Sequence, residues 1–177
     1  MTNYSFEEHL HRYAMWTAAR AVQRSFTPTD NIKKAINTTD LRSFVQRSSC
    51  SPVEFDQLHQ KWADELMNSF GSIECSYGRA AKIISIYLKT SVVIPCKGVG
   101  ALPQIIHPPI DRIFLTNLIS DKSSPLNESD RQWLRGISWT KLEKDMYWEL
   151  VKKFRSYQNF NWRWEYYWSP SAERSDM

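Results

Sequence analysis

A chain of 177 residues, 24% charged and 42% hydrophobic, suits one globular domain that buries roughly 70% of its unfolded surface. Its net charge of +4 and pI near 9.0 permit nucleic acid as a partner without requiring it. No apolar run approaches the ~18 residues of a membrane span, and the charged opening MTNYSFEEHLHRY has no signal-peptide core.

Three cysteines, Cys50, Cys75 and Cys96, cannot all pair within one chain and have no close metal-ligand spacing, so reduced thiols in a cytoplasmic protein are expected, with no membrane partner. The composition stands out in its aromatic content of 14%, with eight tryptophans. Such rings fill cores, line ligand pockets or stack on bases.

The first predicted helix runs from Phe6 to about Phe26, with Leu10, Ala14, Ala18, Ala21 and Val22 at helical period. Short helices are expected over 29–37 and 40–47, each opening near an Asp or Thr. Ser51-Pro52 starts another, carrying Phe55, Leu58, Trp62, Leu66 and Phe70 on one face and Gly71 near its end. The stretch 77–94 is apolar around most of its circumference and predicts a central buried helix. Segment 95–108, with Pro95, Gly98, Gly100, Pro103 and Pro108, reads as a loop.

Helices are then expected from Pro109 to Ser120, from Asn127 to Gly136 and from Thr140 to about Gln158, with a short aromatic helix over 159–168. That last piece reads either as a lid on the core or as a partner surface. Strand alternation is absent. The predicted fold is all-α, one domain over residues 1–170 with a polar tail at 171–177.

Within 77–89, YGRAAKIISIYLK, the residues Lys82, Ser85 and Lys89 stand at i, i+3 and i+7, a polar line along an apolar cylinder. Either this line faces solvent with snorkelling lysines, or one amine faces a partly dry pocket and becomes a nucleophile. Lys89 lies two turns beyond Lys82, roughly 10 Å away, and is expected to snorkel or to add positive field. The later corner HPPID presents Asp111 at a helix start, where a carboxylate suits the free N–H groups and the helix dipole. That placement serves structure alone, with Arg112 as a neighbour, or it serves catalysis.

His9 and His11 share a predicted helix but not a face, and His59 reads as a surface or core-edge residue. His107 either bonds backbone in a loop or lines the pocket of Asp111.

Gly78, a lysine opening a buried helix, a proline corner and an aspartate at the next helix start resemble the catalytic core of the helix-hairpin-helix DNA glycosylases. The archaeal 8-oxoguanine glycosylases are the nearest branch by pattern, over about residues 71–120. The Ile-Tyr-Leu-Lys stretch at 86–89 and the Ile-Asp-Arg corner at 110–112 also resemble a group of uncharacterised bacterial proteins with a Leu-Tyr-Leu-Lys helix. The glycosylase resemblance implies Lys82 as the nucleophile and Asp111 as the essential aspartate, acting on a damaged base in DNA without metal or cofactor. It implies that Ser76, Gly78 and Arg79, with Lys97, hold the DNA backbone. An extruded base would stack on walls drawn from Trp16, Trp133, Trp139, Tyr147, Trp162 and Trp164, with His107 nearby. The rival class is a non-enzymatic helical adaptor or regulatory protein that binds a protein partner through an exposed apolar patch.

Overall fold

A computed structural model describes residues 4–168, and among these every regular element is helical. Helix α1 spans Phe6–Val22, α2 Thr29–Ile36, α3 Leu41–Phe44, α4 Pro52–Ser69 and α5 Tyr77–Leu88. Helix α6 spans Arg112–Ser120, α7 Glu128–Arg135 and α8 Lys144–Tyr157. The tail expected at 171–177 lies outside the described residues.

Local chemistry sets most of the starts. Ser5, Ser51, Ser76, Asp111 and Asn127 each cap a helix by accepting a hydrogen bond from the backbone N–H three residues on. The N-terminal bounds therefore follow capping residues more closely than apolar periodicity. Two predicted starts move for this reason. Helix α6 begins at Arg112 rather than Pro109, because Asp111 is its cap, and Pro108 and Pro109 remain in the extended corner before it. Helix α8 begins at Lys144 rather than Thr140, because Trp139–Lys141 form a separate 3-10 turn that carries Leu142 into the core.

Helix α5 is the axis of the molecule. Ten of its twelve residues are buried, from Tyr77 to Leu88, leaving only Arg79 and Ile86 partly exposed. It packs against α1, α4 and α8 and against the 3-10 turn at Trp139. That last contact is close enough to require Gly78, since a Cβ there would lie 2.1 Å from the Trp139 carbonyl oxygen. Polar ties fix α1 on α5: His11 Nδ1 and the Tyr87 hydroxyl are 2.7 Å apart, and Thr17 and Thr90 share a hydroxyl contact of 3.0 Å.

Beyond Leu88 the helix widens into a π turn over Lys89–Val93, where the Ile94 N–H donates to the Lys89 carbonyl at 2.9 Å. The hydroxyls of Thr90 and Ser91 donate to the Ile86 and Tyr87 carbonyls, competing with regular helix bonding at this point. The following chain reverses at Lys97 and Gly98, both with positive φ; at Gly98 the Trp162 ring lies where a Cβ would stand. The predicted loop 95–108 holds one short 3-10 turn, Leu102–Gln104. The aromatic segment near the C-terminus is a 3-10 helix, Trp162–Tyr167, that closes over α6.

A second set of buried polar groups joins α4, α5, the corner and α8. Arg155, held by Asp56 in a two-pronged ion pair of 2.6 and 2.7 Å, donates to His107 Nε2 at 2.9 Å. A guanidinium only donates, so His107 carries its proton on Nδ1 and donates to the Tyr147 hydroxyl, 3.1 Å away. Tyr147 in turn donates to His59 Nε2, and His59 Nδ1 donates to the Tyr77 hydroxyl, both at 3.2 Å. One arginine thus fixes both histidine tautomers and the direction of four bonds. His59 is fully buried at the centre of this chain, not at the edge expected from its helix position.

Burial holds both imidazoles neutral, pushing His59 down to about 3 and His107 well below its ordinary value. Since each folded pKa is depressed, the stabilisation is complete above the unfolded value of about 6.5 and is lost as pH falls toward the folded one.

Two outcomes follow for stability. Ile84→Ala is expected to cost about 2–5 kcal/mol in urea unfolding, since Ile84 is fully buried on α5. A loss under about 1 kcal/mol would mean α5 is not the core. Between pH 6.5 and 5, unfolding free energy should fall by roughly 1.4 kcal/mol per pH unit for each of His59 and His107. A flat profile across that window would contradict their buried, neutral state.

Candidate functional site

The polar line on α5 turns inward. Lys82 and Ser85 are buried and Lys89 is partly so, and all three face the corner and the C-terminal segment. Lys82 Nζ donates to Asp111 Oδ2 at 2.7 Å, across 29 positions of sequence, with the two side chains 10% and 4% exposed. The Ser85 hydroxyl reaches toward the Pro108 carbonyl at 3.5 Å. Lys89 pairs with Glu165 rather than snorkelling.

Asp111 is fully committed. Its Oδ1 accepts the Phe114 N–H at 3.0 Å as the α6 cap, and its Oδ2 accepts both Lys82 and the Trp168 indole N–H at 2.9 Å. Lys82 is its cationic partner; Arg112 points elsewhere and is exposed. The two Trp rings cover the cations, with Lys82 Nζ 4.6 Å from the Trp139 centroid and Lys89 Nζ 5.3 Å from that of Trp168. The four charged groups alternate in sign and compensate one another. Lys89 is the most exposed of the set, and the Glu165 carboxyl is raised by burial, with Lys89 opposing that shift and Asp111 adding to it.

A half-open cleft of about 490 Å³ adjoins this cluster. Trp139 is shared: it covers Lys82 and also lines the cleft, together with Arg112 and Arg135 and the apolar Leu115, Ile119 and Leu134. The arrangement can do two kinds of chemistry. An amine and a carboxylate in contact can exchange a proton, leaving a neutral amine beside a carboxylic acid. The adjacent cleft can accept a planar group against Trp139 and an anion on the guanidinium groups.

The remaining residues singled out in the sequence disperse. Ser76 caps α5 through the Arg79 N–H at 3.3 Å, and the Gly78 N–H donates to the Leu142 carbonyl at 2.9 Å. These N–H groups are therefore already engaged, and Gly78 is a buried packing position rather than an open turn. Arg79 lies over the Phe26 ring at 4.9 Å and reaches the Ser25 carbonyl. Lys97 follows the turn beyond the other end of α5, whereas Arg79 stands near its start, with roughly 14 Å of helix between Arg79 and Leu88, so the two do not share one end of the helix.

His107 and Tyr147 belong to the buried hydrogen-bond chain, not to the surroundings of Asp111. Trp133 packs partly buried on the core and Trp164 is fully buried. Trp16 is exposed on α1, and Trp162 packs on Gly98. Of the candidate walls, only Trp139 meets the pair. Trp168, Glu165 and the arginine cleft were not legible in the sequence, where the aromatic tail gave no indication of which ring would meet Asp111.

Comparison with family models, curated proteins and solved structures finds no match. Among the described residues no helix is long and apolar enough to cross a membrane, and no three His, Cys, Asp or Glu side chains gather as a metal site.

Removing the Asp111 charge leaves Lys82 buried without a counter-ion. Asp111→Asn retains a good helix cap, so its expected loss of about 3–5 kcal/mol reports the Oδ2 contacts, the Lys82 ion pair and the Trp168 indole bond, rather than the cap. Adding Lys82→Met should recover most of that loss. If the double variant is no more stable than Asp111→Asn, the two charges are not coupled in the folded protein.

Proposed function

We propose that the chain is a DNA base-excision glycosylase/lyase-like enzyme in which Lys82 is the nucleophile and Asp111 serves the same reaction centre. The observation that carries this reading is the convergence of the two groups at 2.7 Å from opposite sides of the proline corner. The neighbouring cleft supports it, since an extruded nucleotide needs a wall for its base and cations for its phosphates.

In the reaction, Lys82 transfers a proton to Asp111 and its free amine bonds to the anomeric carbon. The glycosidic bond breaks, its electron pair leaves with the base, and Asp111 returns the proton to the departing base. A second amine proton passes to the ring oxygen as the sugar opens, giving an iminium ion. Asp111, again a carboxylate, then takes the neighbouring C2′ proton as the 3′ phosphate leaves, and water hydrolyses the imine to free Lys82. Water, DNA and the two side chains balance every step. Trp139 or Trp168 must swing aside for DNA to reach the amine, because both rings now cover the cluster.

That coverage is also the observation favouring the other reading, a non-enzymatic interaction protein in which the pair only ties segments together. Borohydride trapping on oligonucleotides bearing an abasic site or 8-oxoguanine separates the two. The wild-type chain should give a covalent adduct, Lys82→Gln none, Asp111→Asn a rate lower by at least about tenfold, and Lys89→Gln an ordinary yield. No adduct or base release from any lesion tested, or normal trapping by Lys82→Gln, would rule out the enzyme reading.

A further inference from the structure

Helix α1 is aromatic on the face turned away from the core. Its buried stripe is His11, Ala14, Met15, Ala18 and Val22. The opposite stripe, at steps of three and four residues, is Phe6, His9, Tyr13, Trp16 and Arg20, and every one of these is exposed. Phe6 is 72% exposed, Tyr13 52% and Trp16 49%. Three large aromatic side chains in one line on a solvent-facing helix are far from a normal soluble surface.

The rings are already arranged in pairs. Tyr13 and Trp16 stack at 5.8 Å with planes 25° apart, and Phe6 and His9 at 6.5 Å with the same angle. Basic groups flank them. Arg12 lies over the Tyr4 ring at 5.1 Å, and Arg20 and Arg24 have no carboxylate partner among the described residues. Glu8, partly exposed on the same helix, is neutralised by Arg12 and Arg42.

We propose that this stripe is a stacking platform for single-stranded DNA, with bases on Tyr13 and Trp16 and on Phe6 and His9, and phosphates on Arg20 and Arg24. Exposed flat rings, followed along the chain by two guanidinium groups without a carboxylate partner among the described residues, match the two parts of a nucleotide that recur along a strand, its base and its charge. A protein groove would be served as well by aliphatic side chains and would not call for paired rings. From Phe6 to Arg20 the platform runs roughly 21 Å, enough for about six nucleotides at 3.4 Å spacing. The methyl group of thymine enlarges the stacked surface, so thymidine strands are preferred over uridine strands. This face lies across α1 from α5, so the proposal does not depend on any reaction at Lys82.

The test is fluorescence anisotropy with labelled oligo-dT and oligo-U of twelve nucleotides, across a salt series. Wild type should bind oligo-dT more tightly than oligo-U. Trp16→Ala should weaken oligo-dT binding roughly tenfold with an unchanged salt slope, as loss of one stacked base requires. Arg20→Ala should reduce the log–log salt slope by about 0.7, as loss of one phosphate contact requires. Tyr166→Ala, an exposed ring elsewhere in the fold, should leave binding unaltered.

Both α1 changes lie on the surface and should preserve the helical circular dichroism and melting temperature. Several results would overturn the proposal: no binding of folded protein at low salt, tighter binding of oligo-U, or Trp16→Ala and Arg20→Ala both behaving as wild type. A dimer in sedimentation that Trp16→Ala dissolves would overturn it too, and would assign the stripe to a second copy of the chain.

Discussion

Burying a charged amine on the central helix constrains everything around it. Lys82 sits on α5, where ten of twelve residues are shielded from water, and an unpaired ammonium there would cost several kcal/mol. Asp111 meets that cost only if the corner at Pro108 and Pro109 delivers it to the right turn of α5. The same carboxylate caps α6 and accepts the Trp168 indole. One ion pair thus specifies where the loop after α5 ends, where α6 begins and where the C-terminal segment lies. Replacing the pair by apolar residues would remove this constraint and with it the α6 cap and the Trp168 partner that Asp111 also supplies.

Stability and chemistry draw on this arrangement differently. As a tie, the pair works best with its charges fixed and its rings closed. As a reaction centre, it must give up its proton and open to DNA. The cation–π contacts of Trp139 and Trp168 are worth about 0.5–2 kcal/mol each, small enough for binding of a substrate to displace them. Trp139 stands in an irregular turn rather than within a long helix, and Trp168 follows the last 3-10 turn, so either can move without unwinding the core. The His59 and His107 chain has no such freedom. Its two neutral imidazoles and three Tyr or Trp partners are locked by Arg155, and it reads as rigid packing beneath the site.

The helical class and the central place of α5 were legible in the sequence, because the 77–94 stretch has apolar residues on all sides and strand alternation is nowhere sustained. The pairing partner of Lys82 was legible only through the pattern of a lysine helix followed by a proline corner; periodicity alone left solvent and pocket equally open. Helix bounds near Pro109 and Thr140 were misread because apolar period continues through Pro109-Ile110 and Leu142, whereas the cap at Asp111 and the 3-10 turn at Trp139 decide where helix begins. The partners of Lys89 and Asp111 in the segment 162–168 were hidden for a different reason. In NWRWEYYW every position after Asn161 is aromatic or charged, so sequence gives no means of choosing which ring faces inward or whether Glu165 does. The stripe on α1 was obscured because its buried face satisfied the helical pattern and the opposite face was not read for rings.

The central claim is that Lys82 supplies the reacting amine, and peptide mapping of the borohydride-reduced protein–DNA adduct by mass spectrometry tests it at the level of the atom. The account predicts a reduced deoxyribose remnant on Lys82, accompanied by a missed tryptic cleavage after that residue. A remnant on Lys89, on another lysine or on the N-terminal amine, with Lys82 unmodified, would contradict it.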